Sequence, residues 1–276
     1  MLKRVYLEIT NVCNLACSFC PGTKRQKRFM SETEFAALTE KLRGKTQYLY
    51  FHLMGEPLLH PLLGRFLAIA EEKGFRVILT TNGTLLNEKG QSLPDAPALY
   101  KINLSLQSFE ANEGGRLEDY VNQCARFAAK AAAKGKISEL RLWNRGGRES
   151  LNGEILRLLE ETFPAPWEES PRSVKLAERV FLAEDDKFDW PSLDAPDRGE
   201  RCFCYGLRDQ IGVLVDGTVV PCCLDHEGDL PLGNLLEQDF EEIMSTEKAR
   251  DIYNGFSRKI AVQTLCRRCG YARKFT

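Results

Sequence analysis

The chain has 276 residues, 43% of them hydrophobic and 28% charged, which suits a soluble globular protein with one large domain and a small appendage. Its formal net charge of −1 gives no reason to expect nucleic acid or an anionic membrane as a partner. No apolar run approaches the roughly 18 residues that span a bilayer. The opening MLKRVYLEIT reads as a strand and lacks the features of a signal peptide, so the expected location is cytoplasmic.

Strand-like and helix-like segments alternate over the first two-thirds. Residues 4–10 form a first strand ending in a cysteine-bearing loop. Ser31 and Glu34 make a capping box, and a helix follows to about Arg43. QYLYFHLM is a second strand ending at Gly55-Glu56-Pro57, and the next helix stops at Gly74. RVILTT ends at Asn82-Gly83, YKINLSLQS is a fourth strand, and a helix runs from about Leu117 to Lys134. ELRLWN is a fifth strand, a helix covers about 151–162, and a sixth strand falls within 174–183. Such alternation implies an α/β fold, a partial six-unit (β/α) barrel whose functional groups gather at the C-terminal strand ends. The stretch WPSLDAPDRGER reads as a linker, dividing a core of residues 1–195 from a cysteine-rich domain of 196–276. In the latter, Asp216-Gly217 turns a hairpin and a helix spans about Phe240 to Asn254.

Ten cysteines need a role. A disulfide framework belongs to small oxidised domains. Three cysteines fall within residues 13–20 and six beyond residue 200, which suggests two metal sites. Cys124 sits mid-helix among Ala and Phe and reads as a core residue. Cys13, Cys17 and Cys20 have the spacing C-x3-C-x2-C. Three thiolates on one loop can ligate three irons of a [4Fe–4S] cube and leave the fourth open. A zinc loop would want a fourth ligand, and no histidine lies nearby.

CNLACSFC, with Phe19 before the last cysteine, resembles the signature of radical S-adenosylmethionine (radical SAM) enzymes. That resemblance implies a [4Fe–4S] cluster whose open iron is chelated by S-adenosylmethionine. Reductive cleavage of the cofactor then gives a 5′-deoxyadenosyl radical that abstracts a substrate hydrogen. It also implies an electron donor of flavodoxin or ferredoxin type. Met54-Gly55-Glu56-Pro57 resembles the family's Gly-Gly-Glu-Pro element, which contacts the cofactor's amino group through backbone carbonyls. Met54 departs from the usual first glycine. Ser105 and Gln107 resemble the ribose-contacting position. Arg116 either pairs with the cofactor carboxylate or is a solvated charge at a helix start. Asn82 and Asn144 are weaker candidates that either touch the cofactor or cap strand ends.

The C-terminal segment offers Cys202, Cys204, Cys222, Cys223, Cys266 and Cys269. It resembles the auxiliary-cluster extensions called SPASM and twitch domains, and the shorter twitch form, with one [4Fe–4S] cluster, fits better. The expected ligands are Cys204, Cys222, Cys266 and Cys269, in a pattern similar to that of a butirosin-pathway dehydrogenase. Cys202 can replace Cys204, and Cys223 can replace Cys222, since strand neighbours face opposite sides. A four-cysteine zinc ribbon is the bland alternative. Trp143, Trp190, Asp225 and His226 are further substrate-side candidates, each with a structural reading beside it, and His226 is expected as a solvated loop residue. The expected activity is net oxidation of a small molecule; the alternatives are peptide modification and a non-catalytic metal-binding module.

Overall fold

A computed structural model of the chain describes every residue except 113, 114, 172 and 276. In chain order the elements are β1 (Arg4–Leu7), α1 (Glu32–Leu42), β2 (Tyr48–Phe51), α2 (Leu63–Glu72), β3 (Arg76–Thr81), α3 (Leu86–Lys89) and β4 (Leu99–Ser105). There follow α4 (Leu117–Ala133), β5 (Ile137–Arg145), α5 (Asn152–Thr162), β6 (Glu168–Ser170), β7 (Ser173–Ala177) and β8 (Val180–Asp186). The cysteine-rich end carries β9 (Gln210–Val213), β10 (Thr218–Val220), β11 (Gly233–Asn234), α6 (Phe240–Met244), α7 (Glu247–Ser257) and α8 (Thr264–Arg267).

All strands join one open sheet in the order β11-β10-β9-β1-β2-β3-β4-β5-β8-β7-β6. From β9 through β8 neighbouring strands pair parallel, and the pairs at both ends are antiparallel. Parallel neighbours need crossovers, which the intervening helices supply. The capping box forms as expected: Ser31 Oγ accepts the Glu34 amide and Glu34 Oε2 accepts the Ser31 amide. Helix α1 buries Phe35, Leu38 and Leu42. Phe35 stacks on Phe66 of α2 with ring centroids 4.1 Å apart, and burying each such ring stabilises the fold by about 2 kcal/mol. Helix α4 buries Tyr120, Val121, Cys124, Ala125, Phe127, Ala128 and Ala131, a stripe at helical spacing that includes the lone cysteine.

The structure differs from the sequence reading in two elements. The sixth strand is a hairpin, β7 and β8, turning through Arg179 at φ 60. Its second arm, Val180–Asp186, is the sixth parallel strand. The helix expected over 240–254 is two helices, because Thr246 accepts the Ala249 amide and starts a new one. Among the described residues no helix is long and apolar enough to cross a membrane.

Candidate active site: two cysteine groups around one cavity

Strand β1 delivers the chain into the first cysteine loop, which Asn11 closes on itself. Its Nδ2 donates to Gln26 O at 2.9 Å and its Oδ1 accepts the Arg28 amide at 2.8 Å. Cys13 and Cys20 are exposed and Cys17 is half-buried. Asn112 Nδ2 donates to Cys17 Sγ at 3.0 Å, and the Gly22 amide to Cys20 Sγ at 3.4 Å. Partial burial pushes all three thiols above their ordinary pKa, and the charge of a neighbouring cysteine adds to it in each case. The three sulfurs therefore share one neighbourhood.

Gly55 lies tight against that loop. It has φ +79, and a Cβ there would stand 2.4 Å from Thr10 O and 2.9 Å from Val12 O, so only glycine fits. Glu56 is buried; its amide donates to Val12 O at 2.8 Å, and its carboxylate accepts Thr81 Oγ1, the Asn82 amide and the Leu58 amide at 2.7, 2.8 and 3.0 Å. Burial raises the Glu56 carboxyl, and those donors oppose the rise. Pro57 is buried at the start of a short 3-10 turn. Asn82 Nδ2 donates to Asn14 Oδ1 at 3.0 Å, tying the end of β3 to the cysteine loop.

Ser105 ends β4, Gln107 follows it, and both line a cavity of about 620 Å³. Arg116 stands elsewhere. It is exposed at the start of α4, 3.0 Å from Glu118 and 3.9 Å from Asp119, and is not among the cavity's lining residues. Asn144 is turned into its own loop, donating to Arg148 O at 2.6 Å and to Asn152 at 2.9 Å.

The second cysteine group is assembled from distant segments. Cys204 precedes β9, Cys222 and Cys223 follow β10, Cys266 lies in α8 and Cys269 just after it. Burial raises the Cys204 thiol to about 12, with Cys269, Cys202 and Cys223 adding charge. Cys222 is pushed well up by burial, then by Cys204, Cys223, Cys269 and Cys266. Cys204, Cys222, Cys223, Cys266 and Cys269 all line the cavity, whereas Cys202 does not. Burial raises the Cys223 thiol to about 11, and Tyr6 beside it opposes the rise. Among the described residues no three His, Cys, Asp or Glu side chains converge as ligands of a single metal ion must. Thiols that share a neighbourhood suit a polynuclear cluster, in which each iron takes its own sulfur. The N–H donors to Cys17, Cys20 and Cys204 suit thiolate ligands as well.

Sequence reasoning missed the residue that joins the two groups. Glu8 is 1% exposed. Its carboxylate meets Arg25 bidentately at 2.6 and 2.8 Å and accepts the amides of Met54 at 3.2 Å and Val215 at 2.9 Å. Arg25 Nε also donates to His226 O at 2.8 Å. One carboxylate thus ties the first cysteine loop, the Gly-Glu-Pro turn and the C-terminal hairpin. The available signal was an acid within the apolar run VYLEIT, since a buried charge needs a partner. Asn112 gave no signal. His226 differs from expectation: it is 8% exposed, with its ring edge-on to Trp190 at 5.5 Å. Trp190 Nε1 in turn donates to Phe19 O at 3.1 Å.

Residues 7–132 match the Radical SAM superfamily, and residues 202–270 match SPASM, an iron–sulfur cluster-binding domain. The chain thus carries a radical SAM domain followed by a C-terminal SPASM domain. The first domain takes a [4Fe–4S] cluster and S-adenosylmethionine, and the second takes auxiliary iron–sulfur clusters. The chain is 31% identical over 96 residues to the tungsten-containing aldehyde ferredoxin oxidoreductase cofactor-modifying protein of Pyrococcus furiosus, covering 32% of this chain and 26% of that one. It is 27% identical over 193 residues to the PqqA peptide cyclase of Xanthomonas axonopodis, covering 67% and 48%. The chain thus spans about half or less of the length of these relatives. The crystal structure of BtrN in complex with AdoMet and 2-DOIA superposes with a TM-score of 0.59 at 20% identity, covering 98% of this chain and 93% of that one. That likeness speaks to the fold.

Proposed function

We propose that the protein is a radical SAM oxidoreductase that removes a hydrogen atom and then an electron from a small molecule held between two clusters. Cys13, Cys17 and Cys20 would hold the cofactor-binding cluster, and Cys204, Cys222, Cys266 and Cys269 one auxiliary cluster. The carrying observation is that a single cavity is lined by Phe19 beside Cys20, by Ser105 and Gln107, and by all four auxiliary cysteines. Its volume of about 620 Å³ is that of a small-molecule site. When bound, the cofactor and clusters supply one reducing electron, a carbon radical that takes a hydrogen atom, and an acceptor for the substrate's second electron. The chain's own residues hold and orient these groups. Gly55 lets the turn approach the cysteine loop, Glu56 fixes the end of β3, and Ser105 and Gln107 present polar groups to the cofactor's ribose. Residues 1–195 and 196–276 act as core and auxiliary domain, fed by a flavodoxin- or ferredoxin-type donor in the cytoplasm.

Anaerobic, iron-reconstituted protein given S-adenosylmethionine and dithionite should release 5′-deoxyadenosine. With substrate, each turnover should form one 5′-deoxyadenosine per product without net consumption of reductant. No 5′-deoxyadenosine, or one dithionite electron used per product, would overturn the reading. Peptide modification is the second reading, supported by the similarity to a PqqA peptide cyclase over 67% of this chain. Its mark would be hydrogen transfer into 5′-deoxyadenosine from a deuterated peptide.

A further inference from the structure

One wall of the cavity carries a charge imbalance. On β4 and β5 alternate side chains face the cavity, namely Lys101, Asn103 and Ser105, and Glu139, Arg141 and Trp143. In register, Asn103 lies beside Glu139 and Ser105 beside Arg141, so this wall runs directly below the expected ribose contact. Lys101 and Arg141 both pair with Glu139, the latter at 2.7 Å. The side chains of all three are at most 23% exposed. Both cations hold the Glu139 carboxyl below its ordinary range, so the trio is two cations around one anion. His52 adds no charge: burial and Arg141 press its pKa down to about 4. A largely buried excess charge is costly unless an anion joins it.

The same wall holds unmet acceptors. Asn103 and Gln107 are 1% and 7% exposed, and Asn103 Oδ1 and Gln107 Oε1 have no hydrogen-bond partner among the described residues. Asn103 Nδ2 is already committed to Thr80 Oγ1 at 3.0 Å. Buried polar atoms are rarely left unpaired, and each such atom here calls for a donor from a bound molecule. Arg141 Cζ sits over the Trp143 ring, 4.2 Å from its centroid, which restrains the guanidinium that would meet a carboxylate.

We propose that this wall is the subsite for a small hydroxylated acid, with Arg141 taking the carboxylate and Asn103 accepting an O–H group of the same molecule, while Gln107 is left to the cofactor's ribose. The idea rests on the cavity being the substrate site, as argued under Proposed function. A cluster held by thiolates is also anionic, so the test must separate it from a bound acid.

Isothermal titration of anaerobically reconstituted holoprotein with gluconate, glucose and glucosamine does so. The three probes share a polyol frame and differ in charge. Gluconate should bind at least about tenfold more tightly than glucose, and glucosamine most weakly, as expected for a charge-assisted contact. Arg141→Gln should erase the preference at unchanged iron content. Asn103→Asp, nearly isosteric, should reverse it and remains informative if Arg141→Gln does not fold. Equal binding of gluconate and glucose, no binding of gluconate, or a preference that survives Arg141→Gln would overturn the proposal. Release of 5′-deoxyadenosine without any probe is measured in the same preparations and reports on the enzyme reading separately.

Discussion

The two cysteine groups solve opposite problems. The first puts three thiols within eight residues on a loop, with Cys13 and Cys20 open to solvent. The second gathers thiols from segments up to 65 residues apart, and burial lifts Cys204 to about 12. Three thiols leave one iron of a cube open to a further ligand, and the four proposed thiols of the second group would not. That difference in ligand number underlies the proposal that one site binds a cofactor and the other passes electrons.

The sharpest way to break this comparison is to remove one thiol from each group. Cys17→Ala should drop 5′-deoxyadenosine formation to background. Cys269→Ala should lose about four iron atoms per chain, keep cofactor cleavage and lose substrate oxidation. Iron analysis and product quantification in parallel decide it. If Cys269→Ala oxidises substrate normally, the electron-acceptor role of the second group is wrong.

The next largest effect belongs to the residue that joins the groups. Glu8→Gln leaves Arg25 buried without its anion, which should cost about 3 kcal/mol, read as a fall in the urea midpoint. Burial raises the Glu8 carboxyl while Arg25 and two amides oppose that rise, and Arg25 is itself raised by Glu8. The pair is therefore one structural unit. A change under about 0.5 kcal/mol, the level of an exposed pair, would show that Glu8 does not hold the two modules together.

What could be read from the chain, and what could not, follows the same local-versus-distant division. The C-x3-C-x2-C loop, the Gly-Glu-Pro turn and the βα alternation are short-range patterns, and they imply the fold that the family matches support. Strand β9 pairing parallel with β1 rests on partners such as Arg4 and Gln210, 206 positions apart, which no local periodicity encodes. The β7–β8 hairpin escaped because its turn uses Glu178-Arg179 in place of Gly or Asn. Asn112 reaches Cys17 across 95 positions, so its role is visible only in three dimensions.

The smallest effect concerns His52, at the edge of the same cavity. Its folded pKa of about 4 lies below the ordinary value of 6.5, because burial disfavours the charged ring and Arg141 repels it. Below pH 6.5 the unfolded chain takes up a proton that the folded chain refuses, so stability falls from pH 6.5 toward pH 4 and is fully present above that window. Since the ring is half-buried rather than sealed, a loss of about 1 kcal/mol between pH 7 and pH 5 is expected. Urea titrations at the two pH values measure it, and His52→Gln should flatten the difference by that amount. An unchanged pH dependence would mean that His52 is solvated and that Arg141's charge is already compensated, which would also remove one support for an acid-binding wall.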